Sequence, residues 1–145
     1  MYRFKLEALL NHRRHQEETC QKDLAQARRR LSDEREKLDQ KKREKQESLD
    51  KLQAKRQENT TVSDIMLYMN YIQQLSKNIE DQAIHVHKTA KIVDQKRHEL
   101  ISIMQKHKTL KKIKYKERLA HQQKLLQDQR KLMDEIASIR HARKV

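Results

Sequence analysis

Residues 58–73 read ENTTVSDIMLYMNYIQ, and the fold turns on how this stretch is read. Its first part, Asn59-Thr60-Thr61-Val62-Ser63, gathers weak helix formers whose short polar side chains can bond to nearby backbone. The rest of the chain holds no second cluster of this kind, so the spacing predicts one turn between two long helices. Ser63 can cap the second helix, with Asp64 in the first turn, where the helix dipole favours an anion, and Val62 and Leu67 at the staple positions. Thr61, with Asp64 three residues on, is an equally good cap. The second part carries Tyr68 and Tyr71, two of the chain's few aromatic residues. So charged a chain therefore concentrates its stickiest run in its middle.

Composition limits what those helices can build. With 34% hydrophobic and 39% charged residues, against roughly 45–50% and about 25% in ordinary globular domains, no thick core is available. Tryptophan is absent and phenylalanine occurs once, so apolar burial must run along a narrow seam. Low hydrophobicity with a net charge of +14 is also the signature of a disordered chain. The absence of both glycine and proline decides for helix, because these residues cost a helix about 1 and about 3 kcal/mol and are usually plentiful in linkers. It also excludes nucleotide sites built on glycine-rich loops. Cys20 is the single cysteine, so no internal disulfide forms and a reducing compartment is the simplest expectation. The opening MYRFKLEALL has Arg3, Lys5 and Glu7 among its apolar residues, unlike a secretory signal. The longest apolar run, from Ile65 to Met69, falls far short of the ~20 residues of a membrane span. A soluble, cytoplasmic protein is expected.

Two stripes flank the turn. Leu10, Leu24, Leu31, Leu38 and Leu52 share one seven-residue register, with Glu17 and Lys45 in its gaps. The companion row is weaker: Leu6, Cys20 and Ala27 suit a seam, while Arg13, Glu34, Lys41 and Ser48 are poor apolar knobs. Downstream, Ile65, Ile72, Ile79, Val86, Val93 and Leu100 repeat every seven residues until His107 interrupts them. Tyr68, Leu75, Ile103 and Leu110 extend the stripe at the i+3 offset. Beyond, Leu119, Leu126 and Met133 form a new row beside Leu125, Leu132 and Ile139, a phase slip that implies a local change in supercoil.

These patterns predict an all-α fold, a single coiled-coil domain over 1–145, with a first helix over 2–58, a turn over 59–63 and a second helix over 64–142. An antiparallel hairpin is preferred to a parallel dimer of one continuous helix. Reversal at the turn would set Cys20 near Ser102 and Leu38 near Ile84. Helices of these lengths would run about 85 Å and about 120 Å, so the second would overhang the first. The same reversal would bring Asn11-His12-Arg13-Arg14-His15 beside residues 106–118, KHKTLKKIKYKER. A basic end of this kind attracts acidic protein, nucleic acid or anionic lipid, or simply keeps the chain dissolved.

Catalysis and metal binding find little support. His12 with His15, or His85 with His87, lack the further ligands of a four-coordinate site, and residues two apart point to different faces. A two-helix hairpin offers no pocket in which a triad could be desolvated. No catalytic, cofactor or metal residues are therefore expected. Arg28-Arg29-Arg30 and Lys41-Lys42-Arg43 resemble nucleic-acid-gripping patches, but interleaved acids and the lack of an uninterrupted basic helix running into a zipper argue against specific nucleic-acid binding.

The opening Phe4-x-Leu6-Glu7-x-Leu9-Leu10-x-x-Arg13 resembles the start of the flagellar FliJ proteins. Tyr71-x-x-x-Leu75-x-x-x-Ile79-x-x-Gln82 is similar to that family's segment after the turn, and Asp134-Glu135-x-Ala137 to its close. The three matches occur in order and span the chain. The resemblance implies a non-enzymatic two-helix stalk similar to the coiled coil of the F-type ATPase gamma subunit. It also implies a place in the flagellar type III export apparatus, on the cytoplasmic side of the cell membrane at the flagellar base. Its expected partners are the hexameric export ATPase FliI, the export-gate protein FlhA and the flagellar export chaperones. By the same resemblance, Phe4, Leu6, Leu9, Arg13, Asp134 and Glu135 would face the ATPase ring, and Tyr71, Leu75, Asn78 and Gln82 the gate. The stalk of a virulence injectisome is the alternative within the same architecture, and a basic helical nucleic-acid binder the alternative outside it.

Overall fold

The computed structural model describes residues 2–144. It is an all-α helical hairpin of two elements, α1 (Glu7–Gln57) and α2 (Val62–Lys144). Tertiary contacts divide it into two compact units, one of residues 2–18 with 101–144, the other Thr19–Leu100. In each, a segment of α1 packs against a segment of α2.

The turn occupies the four residues between the helices. Helices commonly end on a glycine in the left-handed conformation. This chain has no glycine, and no described residue takes a positive φ. A threonine hydroxyl does the work instead: Thr60 Oγ1 donates to the Lys55 carbonyl at 2.6 Å, and the Thr60 N–H donates to the Glu58 carbonyl at 2.8 Å. Of the two caps the sequence allows for α2, Thr61 is used. Its Oγ1 accepts from the Asp64 N–H at 3.4 Å and its carbonyl from the Ile65 N–H at 3.3 Å. The helix therefore opens at Val62, two residues before the expected 64, and places Asp64 in its first turn.

In the unit Thr19–Leu100 the two heptad rows meet as the sequence predicts. Leu24, Ala27, Leu31 and Leu52 of α1 and Leu75 of α2 are buried, while Ile65, Tyr68, Ile72, Ile79, Val86 and Val93 are half-buried along the same stripe. Each buried leucine stabilises by roughly 1.5–3 kcal/mol, so a few such layers carry this unit. The poor knobs of the companion row stay in the seam, Ser48 buried and Glu34 and Lys41 half-buried, as does Lys45 of the leucine row. Cys20 is half-buried, and desolvation, followed by the Glu99 and Asp23 carboxylates, pushes its thiol above its ordinary pKa.

In the unit of residues 2–18 with 101–144, α1 starts at Glu7 rather than at the expected residue 2. The chain leaves the helix through a turn closed by the Glu7 N–H donating to the Phe4 carbonyl at 3.2 Å. This lets Phe4 close over Leu10 and Leu110 in a cluster of buried apolar side chains, with Tyr2 packed against it. Burying that ring outweighs one more frayed turn of helix. His107 does not interrupt the seam: it is buried, and the heptad spacing continues through half-buried Lys114 and His121. From residue 122 onward α2 is exposed on every face.

Candidate partner-binding surfaces

Two cross-helix polar pairs lie in the seam, Glu17 with His107 and Glu34 with Gln82. Glu17, which fills a gap in the leucine row of α1, accepts a hydrogen bond from Nδ1 of His107, which fills the gap in the α2 row. Nδ1 thus carries the hydrogen, and His107 Nε2 is buried without a partner. In the same unit, Lys114 Nζ reaches both Glu7 carboxylate oxygens, at 2.9 and 3.2 Å. Beyond it the Tyr2 hydroxyl lies 3.4 Å from the Lys114 carbonyl and 3.4 Å from Glu117 Oε2, and the Tyr2 ring meets His121 with centroids 5.3 Å apart. Desolvation, followed by the Glu117 carboxylate, pushes the Tyr2 phenol above its ordinary pKa.

The residues assigned by resemblance to an ATPase ring all lie in this unit but in different settings. Phe4 is buried and structural. Leu6 and Leu9 are exposed. Arg13 is half-buried, donates to Gln16 Oε1 at 2.8 Å, and lines an open groove with Leu9, Ser102, Lys106 and Thr109. Asp134 and Glu135 are exposed on α2 beyond the seam. Around them the rows Leu119, Leu126, Met133 and Leu125, Leu132, Ile139 are uncovered, with Met133 at 72% exposure. The phase slip read in the sequence is therefore a second apolar stripe that α1 does not cover.

The residues assigned to a gate protein lie in the unit Thr19–Leu100. They do not form one outward stripe. Leu75 and Gln82 are seam positions, each 6% exposed, whereas Tyr71 is 53% exposed and Asn78 half-buried. The heptad explains the split: Leu75 and Gln82 share the row of Tyr68, while Tyr71 and Asn78 sit one residue before Ile72 and Ile79 and flank the seam. The Gln82 amide donates to the Glu34 carbonyl at 3.0 Å and to its carboxylate. That hydrogen bond, aided by Lys37 and opposed by partial burial, holds the Glu34 carboxyl below its ordinary 4.5.

Nearer the turn, Val62, Met66, Leu67, Met69 and Tyr71 are exposed around the first turns of α2. Met69 borders an open groove of about 760 Å³ lined also by Leu49, Leu52, Arg56 and Ile72. The Lys55 ammonium sits 4.7 Å from the centroid of the Tyr68 ring. The sequence reading missed the paired polar layers. The signal was present: each apolar row has polar gaps, and Glu17 and Glu34 in the rows of α1 meet His107 and Gln82 in those of α2.

The described residues form a two-helix hairpin that leaves many large apolar side chains exposed, and no group of three metal-ligating side chains occurs among them. Among those residues no helix is long and apolar enough to cross a membrane. The family model described as Flagellar FliJ protein matches residues 2–145, so the chain belongs to the FliJ family and is a component of the flagellar export apparatus. No curated protein and no solved structure matches it significantly.

Proposed function

We propose that the protein is the central stalk of the flagellar export apparatus. The unit of residues 2–18 with 101–144 enters the hole of the hexameric ATPase FliI and promotes its assembly and activity. The turn region couples that ring to the export-gate protein FlhA at the cytoplasmic face of the membrane, and the stalk takes up emptied export chaperones. Family membership supports the apparatus. The observation that carries the stalk role is the uncovered α2 segment beyond residue 121, whose apolar rows have no partner within the chain.

Leu6, Leu9, Asp134 and Glu135 are the accessible ring contacts, with Arg13 at the groove edge and Phe4 holding the N-terminal residues in place. Tyr71 and Asn78 are the accessible gate contacts, and Leu75 and Gln82 position them from within the seam. Their burial decides the experiment. Tyr71→Ala with Asn78→Ala alters side chains outside the seam, keeps the helicity of the parent, and should reduce capture of the purified gate protein about tenfold or more, as expected when an interfacial aromatic anchor is removed. In parallel, Leu9→Ala with Asp134→Lys and Glu135→Lys should lower stimulation of ATP hydrolysis by the purified ATPase. Parental capture and parental stimulation by these folded variants would overturn the assignments.

A further inference from the structure

The second apolar stripe has a heptad of its own. Counting from Leu125, the spacing four then three selects Leu125, Gln129, Leu132, Ile136, Ile139 and Arg143. Leu125, Leu132, Ile136 and Ile139 are all exposed, with Leu126 and Met133 alongside. Relative to the seam that meets α1, these residues lie about a quarter turn around the axis of α2. A row that merely continued the hairpin would have kept the phase of Ile103 and Leu110.

We propose that this stripe is a homotypic coiled-coil seam, through which the C-terminal parts of α2 from two copies of the chain pair parallel and in register. Three features select a second copy in that orientation. Parallel pairing sets Leu132 on Leu132, Ile136 on Ile136 and Ile139 on Ile139. It sets Ile136 in one row and Leu125 and Leu132, followed by Ile139, in the other, so that over 125–136 the rows have the β-branched and leucine placement that favours two strands. Gln129 then meets Gln129, where two amides can satisfy each other, as buried polar residues that fix register do. Glu135 and Arg140 fall at the flanking positions that face each other between parallel helices, giving an opposite-charge pair on each side. The antiparallel arrangement loses the last two: Gln129 would face Ile139, and Glu135 would face its own copy.

The pairing is measured on the protein alone and so stands or falls apart from the ATPase reading. If that reading also holds, self-pairing covers Glu135 and competes with the ring for one face. The test uses the full chain. Sedimentation equilibrium over about 10 µM to about 1 mM should show a mass rising from monomer towards dimer. Ile136→Lys, on an exposed face, should leave helicity unchanged and weaken association about tenfold or more. Orientation is read with Ile139→Cys in a Cys20→Ser background, which should oxidise to a covalent dimer. A monomer at all concentrations overturns the proposal, and so does a dimer that Ile136→Lys leaves intact or that Ile139→Cys does not crosslink, since antiparallel helices separate the two positions.

Discussion

Glu34 and Gln82 make the contact most open to titration. Because the folded chain holds the Glu34 carboxyl below 4.5, the contact contributes its full stability above that pH and loses it as the pH falls through the lower folded value. Gln82→Leu removes the hydrogen bond that is the main cause of the depression. Thermal unfolding from neutral pH to about pH 2.5 should therefore show parent and variant differing at neutrality and converging in acid. A constant difference across the range would assign the loss to packing alone. The Glu17–His107 pair is a different case, since His107 already carries one buried unpartnered nitrogen. Glu17→Ala would strand the other as well and should cost about 1–3 kcal/mol. Replacing both residues by leucine removes the desolvated polar atoms and restores the interrupted rows, so urea unfolding should find the double variant at least as stable as the parent.

At the scale of elements, the turn bears on the hairpin more than its four residues suggest. Thr60 is the side chain that satisfies a carbonyl at the C-terminus of α1, and Thr61 the one that caps the N-terminus of α2. Thr60→Val and Thr61→Ala should each lower stability by about 1 kcal/mol, the usual cost of a lost cap. The two changes act on different helix ends and should add in calorimetry. The seams set the other element-level property. In α1 the apolar rows are diluted by Arg13, Glu17, Glu34, Lys41 and Lys45, yet each remains at least half-buried. Their methylene stems cover the layer while their charged ends reach water or a partner.

Across the whole molecule, apolar burial is a stripe rather than a volume, and no side chain among those described is completely buried. Area exposed on unfolding sets the denaturant dependence, so urea titration followed by circular dichroism should give a slope below that of a globular domain of equal length. A slope typical of a globular domain would indicate burial by a partner, such as a second copy of the chain.

Much of this fold was legible from composition and period. The missing glycine and proline, the leucine and isoleucine rows and the single polar cluster at 59–63 already imply two helices and one reversal, because helix propensity and heptad spacing are local properties of the chain. The candidate surfaces were legible only in part. Tyr71 and Gln82 belong to one stretch of helix, and only packing against α1 exposes the first and buries the second. The return of Phe4 onto Leu10 and Leu110 and the meeting of Glu17 with His107 were likewise settled by tertiary structure. Each depends on which residue lies opposite in the other helix, a relation between positions far apart in the chain that the period of either row alone does not specify.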